Sequence, residues 1–164
     1  MTEICFRSAE ARDLAALSGA LASLSRDLGD PYRAPEESLA AALFGDHPSA
    51  WARLGECAGR LVGATLFAPV FSTAQGGAGV YVSDLWVAAD ARGNGFGHAL
   101  LQDTVQTAHR LWNAEFLRLV VHDDNARAAA FYRKLGFEPA AGQTTLALTG
   151  QTFEALRGRY ESHS

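Results

Sequence analysis

The sequence predicts a single domain built on a mixed α/β sheet with helices on both sides. Three observations carry this. Helical apolar stripes and strand-like apolar runs follow one another in the order strand, two helices, three strands, helix, strand, helix, strand and a short closing helix. No repeat, linker or low-complexity stretch divides residues 1–164. At 48% apolar and 20% charged residues, a chain of 164 residues can bury one core without disulfide or metal staples.

Taken in order, Ile4–Arg7 reads as a first strand, and Ser8 is placed to cap the helix after it. Leu14, Leu17, Leu21, Leu24 and Leu28 recur at three- and four-residue steps and form one stripe, broken by Gly29-Asp30-Pro31. Pro35-Glu36-Glu37 opens a second helix that runs to about Phe44. Segments 50–57, 60–71 and 79–87 read as strands, joined by Gly59 and then by the glycine-rich stretch 74–79. Phe96, Leu100, Leu101, Val105, Ala108 and Leu111 stripe a helix over 95–112. Phe116–Val121, a continuous apolar run, predicts a central buried strand. A helix over 125–135 follows, capped by Gly136. Phe137 then starts an extended segment, Thr144–Leu148 reads as a last strand and Thr152–Arg157 as a closing helix.

Composition excludes several functions. The net charge of −4 lacks the basic surplus of a nucleic-acid binder. No run reaches the ~18 apolar residues of a membrane span. The first residues lack the basic-then-apolar pattern of a secretory signal, so the cytoplasm is the expected address. Cys5 and Cys57 sit in no CxxC pair or Cys/His cluster. They are expected to be reduced, buried strand cysteines, and no metal is expected.

The most informative segment is Asp84-Leu85-Trp86-Val87-Ala88-Ala89-Asp90-Ala91-Arg92-Gly93-Asn94-Gly95-Phe96-Gly97-His98. A strand ends near Val87, and a glycine-rich loop runs into a helix. Its glycines permit tight turns and close approach of a ligand. The unpaired N–H groups at the helix start and the helix dipole favour an anion, and Arg92 adds positive charge. Gly93-x-Gly95-x-Gly97 is neither the dinucleotide fingerprint nor a Walker loop. By itself it reads equally as a helix cap with surplus glycines.

A second segment, Asn125-x-x-Ala128-x-x-Phe131-Tyr132-x-x-x-Gly136-Phe137, follows on the next strand and helix. Together with Arg92-x-x-Gly95-x-Gly97 it resembles the GNAT superfamily of N-acetyltransferases. Phe44-Gly45-Asp46-His47-Pro48, Phe71-Ser72-Thr73 and Gly79–Val87 bring the likeness nearest to the diamine and thialysine acetyltransferases. The resemblance implies a mostly antiparallel central sheet, split between the parallel strands ending at Val87 and Val121. It also implies acetyl-CoA in that split. Backbone groups of Leu85, Trp86 and Val87 would pair with the pantetheine arm. Amides of Gly93, Asn94, Gly95, Phe96, Gly97 and His98, beside Arg92, would hold the pyrophosphate. Asn125 would bond the arm from the other side, with residues to Ala128 lining it.

The implied reaction is direct attack of a neutral amine on the thioester, with Tyr132 protonating the leaving thiolate. Reference pKa values of ~10 for the phenol and ~8.5 for the thiol make that transfer reasonable. The subgroup's Glu-Asp pair is here Ser83-Asp84, so only Asp84 remains as base or as anchor for a cationic acceptor. A polyamine would need several carboxylates, for which Asp27, Asp30, Asp46, Asp84, Asp123 and Asp124 are candidates. His122 is a second candidate base, and His47 reads as a turn residue. Trp86 and Phe71 read as pocket walls or as core. The acceptor is expected to be a small primary amine, and the subgroup implies a homodimer. The alternatives are a non-catalytic acyl-CoA sensor and a protein or peptide N-acetyltransferase.

Overall fold

The computed structural model describes residues 3–158. Its contacts divide into two units, meeting at Asn125/Ala126. In the first unit, β1 (Ile4–Ser8), β2 (Trp51–Cys57), β3 (Arg60–Ser72), β4 (Gly77–Val87) and β5 (Leu117–Arg118) form one sheet in chain order. The first three pairings are antiparallel and β4–β5 is parallel. A left-handed Ala58-Gly59 pair, φ 50° and 73°, turns β2 into β3.

Side-chain alternation puts one core on each face of the sheet. On one face, α1 (Leu14–Leu28) and α2 (Glu36–Phe44) bury Leu17, Leu21 and Leu39 against Leu54 and Ala64. On the other, α3 (Phe96–Trp112) buries Phe96 and Leu100 against Val62. Each of these leucine, valine and phenylalanine side chains contributes roughly 1.5–3 kcal/mol by leaving water. Thr65 and Thr104 share a hydrogen bond of 2.7 Å at that buried contact, and Thr104 also donates to the Leu100 carbonyl at 2.9 Å. This satisfies the only polar atoms that these two side chains bring. The ring of Phe96 lies where the sheet has no side chains: a Cβ at Gly55 or Gly63 would come within 2.5 Å of it. Gly55 and Gly63 are register partners across β2 and β3, so together they make one seat.

Several expectations change. Ser8 does not cap the first helix; it ends β1, and its hydroxyl accepts from Arg53 at 2.8 Å. A short 3-10 turn at Ala11–Asp13 precedes α1, and the Asp13 carboxylate closes it by accepting the Glu10 N–H at 2.8 Å. The run Phe116–Val121 is not a central buried strand. Only Leu117–Arg118 pairs, at the sheet edge, and Val120 is 61% exposed. Apolarity marked a buried strand there, but the ladder with β4 stops too soon to bury it. Cys5 and Cys57 are both free thiols on strands, but neither is buried: Cys57 is half-buried, and Cys5 is exposed because β1 is the other edge.

The second unit holds α4 (Ala126–Lys134) and α5 (Gly150–Arg157). Phe137 and Thr144–Leu148 form no strand, and Leu146 is 89% exposed. An alternating pattern specifies a strand only where a neighbouring strand supplies the ladder, and the sheet ends at β5.

No helix among the described residues is long and apolar enough to cross a membrane. No group of three His, Cys, Asp or Glu among them is placed to hold a metal ion.

Candidate active site

The parallel strands β4 and β5 share rungs only at Val80–Leu117 and Tyr81–Arg118. β4 then continues through Val87 with nothing of β5 opposite it. At ~3.3 Å per residue, the stretch Val82–Val87 offers roughly 20 Å of strand edge for an extended molecule. A bulge in the β3–β4 ladder lies beside the split. Leu66 pairs with Asp84 and Phe67 with Val82, leaving Ser83 as the extra residue. The Ser83 hydroxyl donates to the Leu66 carbonyl at 3.1 Å and holds the bulge.

Register assigns the side chains beyond the bulge. Asp84 and Trp86 oppose Leu66 and Ala64 and so lie on the face of α1 and α2. Leu85 and Val87 oppose Thr65 and Gly63 and lie on the face of α3. Asp84 is half-buried, and desolvation raises its carboxyl above the usual range, with the Ser83 hydroxyl acting the other way.

Past Val87 the chain is fixed by the Ala88 N–H, which donates to the Val62 carbonyl at 2.8 Å. After a 3-10 turn at Ala89–Ala91, Gly93 and Gly95 take left-handed φ of +83° and +77°. A side chain is strained in that region, which is why glycine stands at both. The first helical bond of α3 is Ala99 N–H to the Gly95 carbonyl at 3.0 Å, and no side chain caps the helix. The amides of Phe96, Gly97 and His98 therefore have no acceptor within the helix. Gly93, Asn94, Gly95 and His98 are exposed around them. Phe96 contributes only its backbone here, since its ring is committed to the glycine seat.

Arg92 is not a free charge beside this loop. Its Nε donates to the Val87 carbonyl at 2.8 Å, and its Nη2 meets Asp27 Oδ2 at 2.7 Å. Its role in the structure is to fasten the loop to the end of β4 and to α1. Asp30 meets His122 at 3.0 Å in the loop after β5, and the Asn125 N–H closes that loop on the His122 carbonyl at 2.9 Å. His47 is exposed in the turn after α2, and Phe71, at 70% exposure, is not a core residue.

In the second unit, Ala128 and Tyr132 lie four residues apart on one face of α4. The helix ends in a Schellman cap. Gly136, φ +90°, donates to the Arg133 carbonyl at 3.0 Å, and Phe137 donates to the Tyr132 carbonyl at 3.1 Å. The Tyr132 ring stands edge-on between Phe131 at 5.1 Å and Phe137 at 5.3 Å. Burial pushes its phenol up to about 12, so it is a protonated donor at neutral pH.

The first unit thus brings Asp84, Leu85, Trp86, Val87 and the loop from Arg92 to His98 to one end of the split. Gly55 and Gly63 escaped the sequence reading. Their signal was present: two strand glycines flanking a hairpin ask what presses on them.

An uncapped helix start thus stands at the end of a sheet split between parallel strands, an arrangement that suits an anionic ligand. The sequence profile of the acetyltransferase (GNAT) family matches residues 20–137. A pig (Sus scrofa) thialysine N-epsilon-acetyltransferase is 29% identical over 143 residues, covering 80% of this chain and 83% of that protein. The integron cassette protein VCH_CASS6 of V. cholerae superposes with a TM-score of 0.77 at 21% identity, covering 95% of this chain and 98% of that one. An aminoglycoside N-acetyltransferase in complex with CoA superposes at 0.72 and 13% identity, covering 92% and 97%. These two superpositions show a shared fold. The chain belongs to the acetyltransferase (GNAT) family and is an N-acetyltransferase.

Proposed function

We propose that the enzyme moves an acetyl group from acetyl-CoA to a small primary amine, within one acetyltransferase domain. The observation that carries this is the β4–β5 split ending in the uncapped start of α3. The open edge over Val82–Val87 suits an extended pantetheine arm, with Leu85, Trp86 and Val87 along it. The amides from Gly93 to His98 suit a pyrophosphate. Arg92 supports that site by fixing the loop. Asn125 and Ala128 are proposed at the arm on the family resemblance.

The amine nitrogen attacks the thioester carbonyl, the C–S bond breaks, and the sulfur takes the Tyr132 proton. The proton lost by the amine restores the phenol, so the products are the amide and free CoA thiol. A phenol at about 12 remains protonated until the thiolate forms. Burial likewise raises a thiolate's basicity, so a phenol and a thiolate each held in dry surroundings shift in the same direction. Asp84, made more basic by burial and sharing the face of α1 and α2, is proposed to take the ammonium proton or hold the cation.

A lysine-like amino acid is a better fit than a polyamine. Two carboxylates that a polycation would need, Asp27 and Asp30, are already paired with Arg92 and His122. The pig relative's name points to the same acceptor class. A homodimer accompanies this reading on the resemblance alone, and light scattering tests it.

The test is free-thiol release from acetyl-CoA with spermidine, putrescine, lysine, its thioether analogue, small amino acids and an aminoglycoside. Turnover with lysine or its analogue, abolished or severely cut in Tyr132→Phe with acetyl-CoA binding intact, is the expected result. Saturable binding without amine-stimulated release by any of them would leave the acyl-CoA sensor as the better reading. Full turnover by Tyr132→Phe would remove the assigned acid.

A further inference from the structure

The C-terminal end of α1 touches the exits of both parallel strands. Asp27 reaches Arg92 in the loop after β4 at 2.7 Å, and Asp30 reaches His122 in the loop after β5 at 3.0 Å. These loops leave the same end of the sheet, because β4 and β5 run parallel. Beyond Tyr81 and Arg118 the pairing of the two strands ends. The Schellman cap of α1 sets the spacing of the two carboxylates: Gly29 N–H donates to Arg26 at 3.2 Å and Asp30 N–H to Ser25 at 2.8 Å. Asp27 thus sits in the last helical turn and Asp30 just past it, each aimed at a different loop.

We infer that Asp27 and Asp30 are positioning residues that strap the end of α1 across the mouth of the β4–β5 split and set its width. The inference rests on the reading of that split as the acyl-CoA cleft. Arg92 transmits the strap directly, because the guanidinium that meets Asp27 also holds the Val87 carbonyl at the strand end. On the other side His122 carries the turn that Asn125 closes. Loosening either point lets the loop from Gly93 to His98, or the β5 exit, drift from the geometry the arm and pyrophosphate require. Contacts to the pyrophosphate lie away from the reacting thioester and count equally in ground and transition states, so loosening them costs affinity and leaves kcat unchanged.

The experiment measures acetyl-CoA dissociation by calorimetry, with kcat, KM and thermal midpoints, for the wild type, Asp27→Asn, Asp30→Asn and the double variant. Each single change is expected to weaken binding about threefold and the double change about tenfold, the scale of partly exposed ion pairs. The kcat at saturating acetyl-CoA should stay within about twofold, and Asp27→Glu should recover part of the affinity. Unchanged affinity in the double variant overturns the inference, whether or not its thermal midpoint falls. Should the double variant not fold, Asp27→Asn and Asp30→Asn are read singly, and unchanged affinity in both overturns the inference. If the wild type shows no saturable acetyl-CoA binding, the cleft reading itself fails and the strap with it.

Discussion

Phe137 donates its amide hydrogen to the Tyr132 carbonyl at 3.1 Å while its ring meets the Tyr132 ring at 5.3 Å. Backbone and side chain of one residue thus hold both parts of the proposed acid. The spacing Tyr132-x-x-x-Gly136-Phe137 is that of a Schellman cap, with the hydrophobic contact that often accompanies it.

Gly136 should therefore matter to turnover. Its φ of +90° lies outside what a β-branched side chain tolerates. Gly136→Val is expected to cost about 1–2 kcal/mol and to lower kcat with little change in acetyl-CoA affinity. Gly136→Asn should be milder. Steady-state kinetics decides: an unaltered kcat in the valine variant would separate the cap from the chemistry.

Gly63 should matter to cofactor binding from beneath the sheet. An added Cβ lies 2.5 Å from Phe96 Cε1 and 2.9 Å from Leu100 Cδ2. Gly63→Ala is expected to lose about 1–3 kcal/mol in urea unfolding through overpacking. It should also weaken acetyl-CoA, because Phe96 is the first residue of α3. Unchanged affinity would show that the ring yields without moving the loop.

Burying Asp84 carries a stability cost at neutral pH. Its folded carboxyl titrates above the unfolded one, so folding binds an extra proton between the two values, and stability falls as pH rises through that window. Asp84→Asn should accordingly raise the thermal midpoint at pH 7 while cutting turnover. The stability gap should close below about pH 4, where the unfolded carboxyl is also protonated. A variant less stable than the wild type at pH 7 would contradict this origin of the shift.

Asp13 behaves in the opposite sense. Hydrogen bonds from Arg7, at 2.7 and 2.8 Å, hold its carboxyl down at about 2. Its contribution is complete above the unfolded value of ~3.9 and is lost as pH falls toward about 2. Asp13→Asn should lower the thermal midpoint at pH 7 by a few degrees, with the difference fading in acid. A difference independent of pH would assign the loss to packing.

The sequence carried most of this architecture because its helices and the β2–β4 strands are specified locally. The leucines of α1 and α3, the glycines that end α1 and α4 and the glycine turns each answer to short-range geometry. What failed depends on neighbours distant in sequence. Phe116–Val121 is apolar enough for a core strand, yet its exposure follows from how soon its ladder with β4 ends. Thr144–Leu148 alternates like a strand, but its own unit contains no strand to pair with it. At the site, the loop from Gly93 to Gly97 was legible because left-handed backbone demands glycine. The engagement of Arg92 was not, since Asp27 lies 65 residues away.

The glycine seat under Phe96 also proofreads the hairpin that carries it. Gly55 and Gly63 form an open patch only when they face each other across β2 and β3. A slip of one residue would bring Leu54 or Glu56 opposite Gly63, turn every side chain to the wrong face and plug the hollow. A misaligned hairpin could then not accept the ring that opens α3. The start of that helix and the glycine loop before it can be completed only on a correctly threaded sheet, so a mispaired hairpin would leave that loop unformed rather than misshapen.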